Sequence, residues 1–120
     1  MAMYVDGFLM PIPKKNLDAY RKMARKAGKV WMEYGALSYV ECMADDVKPG
    51  KWTSFPQAVK LKPDEVVWFS WITYKSRKHR DSVNKKVMAD PRMTAMCHQP
   101  MPFDMKRMNC AGFRSIVDKS

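Results

Sequence analysis

Arg80, Val83 and Val87 fall on one arc of a helical projection from Arg77 to Ala89, with Asn84 at its edge. An arginine on the buried side of a helix needs a partner, and a guanidinium beside a carboxamide suits an anionic or carbonyl-bearing ligand. Asp6, Asp45, Asp46 and Asp104 are the carboxylates that could instead take this cation in an internal ion pair, fixing the helix on a sheet. His79 sits on the opposite shoulder, where an imidazole is the usual general acid or base near neutral pH. Turnover at such a site would be proton transfer or cofactor-free oxygen chemistry, with His79 as base, Arg80 holding an oxyanion and Asp6 as their carboxylate neighbour. Trp71, Asn84, Cys42 and Asp104 are expected to complete the ligand pocket.

Other reactive side chains carry less. Cys42 alternates with Val40 and faces either helices or the opposite side of its sheet, and with no adjacent activating group it reads as a buried structural thiol. Cys97 and His98 are neighbours, but two adjacent residues without further ligands at suitable spacing do not make a metal site. No bound metal and no cofactor are expected. Asp45 and Asp46 precede Pro49-Gly50 and read as a solvated turn. Arg77 and Asp81, four apart, form an ordinary surface pair. The chain has no P-loop, no G-x-S-x-G and no Rossmann glycine pattern.

The elements that must position these residues follow from periodicity. Tyr4 to Met10 is rich in β-formers and is expected to stop at Pro11-Ile12-Pro13. From Lys14, the residues Leu17, Tyr20, Ala24, Ala27, Trp31 and Tyr34 recur at three- and four-residue intervals, one buried helical stripe, with Gly35 as its stop. Ala36 to Met43 alternates as a strand, Leu37, Tyr39 and Glu41 on one face and Ser38, Val40 and Cys42 on the other. A short β-prone piece from Thr53 to Leu61, interrupted by Pro56, is expected as an edge or bulged strand. Val66 to Tyr74 is the strongest strand, expected to be largely buried on both faces. Ser76 should cap a helix from Arg77 to Ala89, and Asp90-Pro91 should start a short one reaching about His98. Met108 to Val117 closes the chain as a strand, Gly112 permitting a bulge or close approach.

The order strand, helix, strand, strand, helix, strand predicts an α+β, ferredoxin-like βαββαβ domain, an antiparallel sheet with helices on one face, spanning residues 1–120. Apolar residues on both strand faces, Val67, Phe69 and Trp71 against Val66, Trp68 and Ile72, mean that the second face needs a cover. Two sheets joined across a two-fold axis supply it, giving a homodimer.

With 120 residues, of which 47% are hydrophobic and 28% charged, the chain can bury one core and is not intrinsically disordered. Three cysteines without C-x-x-C spacing exclude a disulfide framework and fit a reducing cytoplasm. There is no signal pattern, and the longest apolar run, Val66 to Ile72, is too short to span a bilayer, so no membrane partner is expected. The net charge of +10 raises the question of nucleic acid. Arg21, Lys22, Arg25, Lys26 and Lys29, however, project on one side of a helix, as a solvated face does, and no nucleic-acid partner is expected.

The runs Tyr4-Val5-Asp6-Gly7-Phe8, Gly35-Ala36-Leu37, Tyr39-Val40-Glu41-Cys42, Asp45-Asp46-Val47, Thr53-Ser54-Phe55-Pro56, Phe69-Ser70-Trp71, Arg80-Asp81-Ser82-Val83-Asn84, Lys86 to Arg92 and Met101-Pro102-Phe103-Asp104 resemble the YbaA-like family of small bacterial proteins of unknown function. The resemblance covers nearly the whole chain. It implies the dimeric α/β-barrel superfamily, which also holds cofactor-free monooxygenases, haem-degrading enzymes, chlorite dismutase-like proteins and muconolactone isomerase-like proteins. Haem-degrading members of the superfamily use a strand Asn, a strand Trp and a helix His; here Trp68 or Trp71 precedes His79, but the first strand carries Asp6 in place of asparagine.

These observations converge on a cytoplasmic homodimer that binds a small organic ligand in a pocket between sheet and helices, as a cofactor-free oxygenase or isomerase. The alternatives are a nucleic-acid-binding module built on the basic first helix and a non-catalytic interaction protein with no pocket.

Overall fold

The computed structural model describes residues 3–120. The elements run β1 (Tyr4–Pro13), α1 (Leu17–Glu33), β2 (Ser38–Met43), α2 (Phe55–Ala58), β3 (Glu65–Tyr74), α3 (Arg77–Ala89), α4 (Pro91–Cys97) and β4 (Asn109–Arg114), with 3-10 turns at Lys14–Asn16 and Met105–Arg107. The strands form one antiparallel sheet in the order β2-β3-β1-β4. With α1 following β1 and α3 following β3, this is the ferredoxin-like α+β arrangement that the order of elements predicts.

Register decides which side chains meet the helices. Asp6 lies opposite Ile72 and Gly112, and Glu41 opposite Ser70, so the even positions of β1, β3 and β4 share one face with Tyr39 and Glu41 of β2. The helices pack on that face. One half of the core joins Val30 of α1, Ile72 and Tyr74 of β3, and Val83 and Val87 of α3. The other joins Tyr20 and Ala24 of α1 to Met10, Ile12, Trp68 and Phe103. α1 ends where Gly35 takes a φ of 107°, which a residue with a side chain rarely adopts, and the Ala36 N–H closes back on the Trp31 carbonyl at 3.1 Å. Ser76 and Asp90 cap α3 and α4 as their residue types lead one to expect.

Three local expectations change. The stretch from Thr53 to Leu61 is not a strand, because Ser54 accepts the Gln57 N–H at 3.3 Å and Pro56 sits in a first helical turn, where its missing N–H costs nothing; the result is α2. β1 does not stop at Pro11 but continues to Pro13. Its pairing with β4 ends at Leu9, so both prolines occupy a stretch with one free edge. β4 is shorter than expected and carries no bulge at Gly112, which pairs directly with Asp6; that glycine permits the close approach of Tyr4, whose hydroxyl a Cβ would strike.

The strand β3 is largely buried on both faces, as expected, with Phe69 the one exposed position. Val67 and Thr73 are covered on the side away from the helices, but Phe69 there is 44% exposed and Phe113 of β4 is 61% exposed. Phe55 of α2 meets Phe69 edge-on, with ring centroids 6.2 Å apart, and Trp71 lies beside Phe69 at 5.7 Å. An aromatic face therefore remains open to solvent on this chain.

Candidate functional site

Under the helices, the polar centre is Glu41. Tyr20 and Tyr39 fall on the helix-facing side by their helical and strand spacing, and Trp68 does so on β3. All three donate to the Glu41 carboxylate: Tyr20 Oη to Oε1 at 2.8 Å, Trp68 Nε1 to Oε1 at 2.7 Å, and Tyr39 Oη to Oε2 at 2.7 Å. Among the described residues no cation lies within ion-pairing distance of Glu41. Burial, and then the charge of Glu41, push both tyrosines well above the ordinary phenol value of 10.0, so they remain protonated donors near neutral pH. Gly28 of α1 makes room for this: a Cβ there would lie 2.8 Å from Tyr39 Cδ1.

Glu41 and Tyr39 line both of two adjoining spaces. The inner one is a cavity of about 270 Å³ between sheet and helices. Met10, Met23, Met88, Met101, Met105 and Met108 line it, together with the rings of Phe8, Tyr20, Trp31 and Phe103, and Ser70 lies on its floor. Thioether chains adapt to ligands of differing outline, and the few polar groups fix orientation. The outer space is a groove of about 810 Å³ between α1 and the β2 edge, which Trp68 and Met43 also line. The arrangement offers a carboxylate held by neutral donors beside an apolar cavity, which can accept a proton from a bound molecule.

The expected site residues are distributed differently. Asp6 and Arg80 do come together, at 2.6 Å, and Arg80 also bonds Asp81 at 2.7 Å and lies over the Tyr4 ring at 4.9 Å. This ties α3 to β1 as an internal ion pair. His79 Nδ1 accepts the Lys75 N–H at 3.0 Å, and its ring stands edge-on to Tyr74. Neither His79 nor Arg80 lines the inner cavity. Asn84 approaches it from behind, accepting from Trp31 Nε1 at 3.1 Å and from Tyr74 Oη at 3.3 Å. Trp71 and Cys42 belong to strand positions on the open sheet face; Trp71 also lines the inner cavity, as expected, whereas Cys42 borders a shallow pocket with Phe55 and Phe69. Asp104 caps the turn at Met105–Arg107 and bonds Arg107, which in turn grips Glu65 with two bonds of 2.7 and 2.6 Å. Asp45 and Asp46 are exposed.

Glu41 with its three donors is the cluster that sequence reasoning missed. A carboxylate alternating with Tyr39 toward the helix side of a strand was the visible signal; the convergence of Tyr20 and Trp68 depends on tertiary packing. Among the described residues no three His, Cys, Asp or Glu side chains are grouped to hold a metal ion, and no helix is long and apolar enough to cross a membrane.

Residues 3–105 match the model of a family described as a protein of unknown function, DUF1428. The uncharacterized protein YbaA of Escherichia coli K12 is 52% identical over 116 residues, covering 97% of this chain and 98% of that protein. YbaA of Shigella flexneri matches to the same extent. Among solved structures, a putative antibiotic biosynthesis monooxygenase from Nitrosomonas europaea superposes with a TM-score of 0.59 at 10% identity, over 98% of this chain and 94% of that one. The structure of Rv0793 from Mycobacterium tuberculosis superposes at 0.53 and 13% identity, over the whole of both chains. At such identities the likeness is one of fold.

Proposed function

This chain belongs to the DUF1428 family of proteins of unknown function, and from that premise we propose a homodimer that binds a small organic ligand between sheet and helices and transfers a proton at Glu41. The observation that carries this reading is the juxtaposition of the methionine-lined cavity with a carboxylate held only by Tyr20, Tyr39 and Trp68. A C–H or O–H bond of the ligand breaks, its proton passes to a Glu41 oxygen, and the electron pair stays on the ligand as an enolate or phenolate. Return of that proton to a different atom is isomerisation. Attack of the carbanion on dioxygen is oxygenation without a cofactor, the reading that the putative monooxygenase from Nitrosomonas, which shares the fold, supports. In both, the Arg80–Asp6 pair and His79 hold α3 against the sheet, and Asn84 fixes the Trp31 side of the cavity.

The open sheet face supports self-association. Phe69, Trp71 and Phe113 form an apolar surface that a second copy covers by symmetry.

Native mass spectrometry of gently purified protein tests both parts at once. The expected result is a dimer carrying a discrete extra mass, lost in a Ser70→Leu variant whose larger side chain fills the cavity floor. A wild-type protein as bare as the filled variant removes the ligand reading, and a monomer removes the dimer.

A further inference from the structure

The outer groove selects the charge of what enters. Arg21, Arg25 and Lys29 line its α1 side. Spaced by four residues, they form one stripe about 12 Å long on the helix. None of the three makes an ion pair among the described residues. Lys22 and Lys26, equally basic and on the same helix, do not line the groove. The carboxylates on its walls are Asp18 and Glu41, and Glu41 is held by two phenols and an indole. Had one of the arginines satisfied Glu41, that charge would be cancelled; because neutral donors do so, the stripe keeps its cations for something else.

We infer that the ligand is an organic anion, a carboxylate or another oxyanion on an apolar body, whose charged head is taken by Arg21, Arg25 and Lys29 while its body passes Glu41 into the methionine-lined cavity. This rests on the inner cavity being the ligand site. Two guanidinium forks suit the paired oxygens of such a head. Buried Trp68 and the exposed side chain of Met43 give the groove apolar surface beside its cations. An amine would meet three positive charges before reaching Glu41. A nucleic-acid backbone is the lesser fit, since these cations wall a concave groove that has apolar surface and opens beside an apolar cavity.

The test compares 2-naphthoate with its neutral analogue 2-naphthamide, followed by calorimetry and by quenching of tryptophan fluorescence. The expected result is tighter binding of naphthoate to wild type by about tenfold, the effect of one charge-assisted contact. The Arg21→Gln/Arg25→Gln/Lys29→Gln variant, altered at exposed positions only, should lose that preference and still bind the amide. Ser70→Leu should weaken both probes. Equal binding of the two probes to wild type, or a preference that survives the triple substitution, overturns the anion inference and leaves the cavity standing. Binding that Ser70→Leu leaves unchanged overturns the cavity reading itself. Failure of both probes to bind overturns the two together, and displacement of naphthoate by single-stranded RNA, with steep loss in salt, reassigns the stripe to nucleic acid.

Discussion

The Trp68 indole donates to Glu41 Oε1 at 2.7 Å, from β3 across to the edge strand β2 on the side the helices cover. Tyr20 of α1 reaches the same oxygen at 2.8 Å, so one atom joins a helix and two strands. A carboxylate has only acceptors to offer, and each oxygen can take two bonds, which is why it suits three donors with no cation.

Glu41→Gln breaks that match. The carboxamide presents one acceptor and one donor, so an N–H must face either Tyr39 or the Tyr20–Trp68 pair. Stability in denaturant should fall by about 2 kcal/mol, the cost of an unsatisfied buried bond. The loss of negative charge should also bring the Tyr20 and Tyr39 phenols down toward 10.0, while burial keeps them above it. Denaturant unfolding at neutral pH reads the lost stability directly; a variant as stable as wild type would show that Glu41 is not held by these donors.

Gly28→Ala should not stabilise, although alanine in a helix interior normally gains about 1 kcal/mol over glycine. The new methyl would sit 2.8 Å from Tyr39 Cδ1 and 2.9 Å from Cε1. That ring has little room to give way, since its hydroxyl is bound to Glu41 and it lies against Trp31 at 6.0 Å. The expected net effect is a loss of about 1 to 2 kcal/mol, in the range of overpacking. Thermal unfolding beside Gly28→Ser, which is also crowded, should show both below wild type.

The fold was legible in the sequence because each long element announced its period. Leu17 through Tyr34 repeats like a helix, Tyr39 to Cys42 alternates like a strand, and the element order leaves few topologies to choose from. Thr53 to Leu61 misled because Pro56 reads as a strand breaker and as a first-turn helix residue alike, and only the Ser54 cap decides between them. The site was less legible. Helical projection correctly turned Arg80 inward, and the structure answers it with Asp6, 74 positions away in the chain. Trp71 could not be assigned to a face without knowing which side of β3 the helices cover. Glu41 looked like any strand carboxylate until Tyr20 and Trp68, 21 and 27 positions from it, were brought to the same oxygen.

Acid should destabilise the protein through Glu65 and Asp90. The two-pronged bond from Arg107 holds the Glu65 carboxyl below its ordinary 4.5, and Arg92 with the Tyr34 hydroxyl holds Asp90 below its ordinary 3.8. A carboxyl depressed in the folded state adds stability above its unfolded value, and this is lost as pH falls through the folded one. Denaturation midpoints should therefore hold steady down to about pH 5 and drop below it. Glu65→Gln and Asp90→Asn should each start lower near neutral pH and fall less steeply in acid. A wild-type curve parallel to those of both variants would mean that neither ion pair carries the acid sensitivity.

If the proposed homodimer forms through the open sheet face, Phe69→Lys should separate its subunits without unfolding them. The Phe69 ring is 44% exposed, so the substitution removes little from the core of one chain, and a lysine stem can lie over Trp71 with its ammonium in water. At a two-fold interface the same position occurs on both copies, so one substitution places two like charges near each other in a desolvated surface. Sedimentation velocity should give a dimer for wild type and a monomer for Phe69→Lys, with matching far-ultraviolet circular dichroism. Lys78→Glu, an equally exposed change on α3, should remain dimeric. A monomeric wild type removes the dimer, and a Phe69→Lys variant that stays dimeric shows that the copies meet elsewhere.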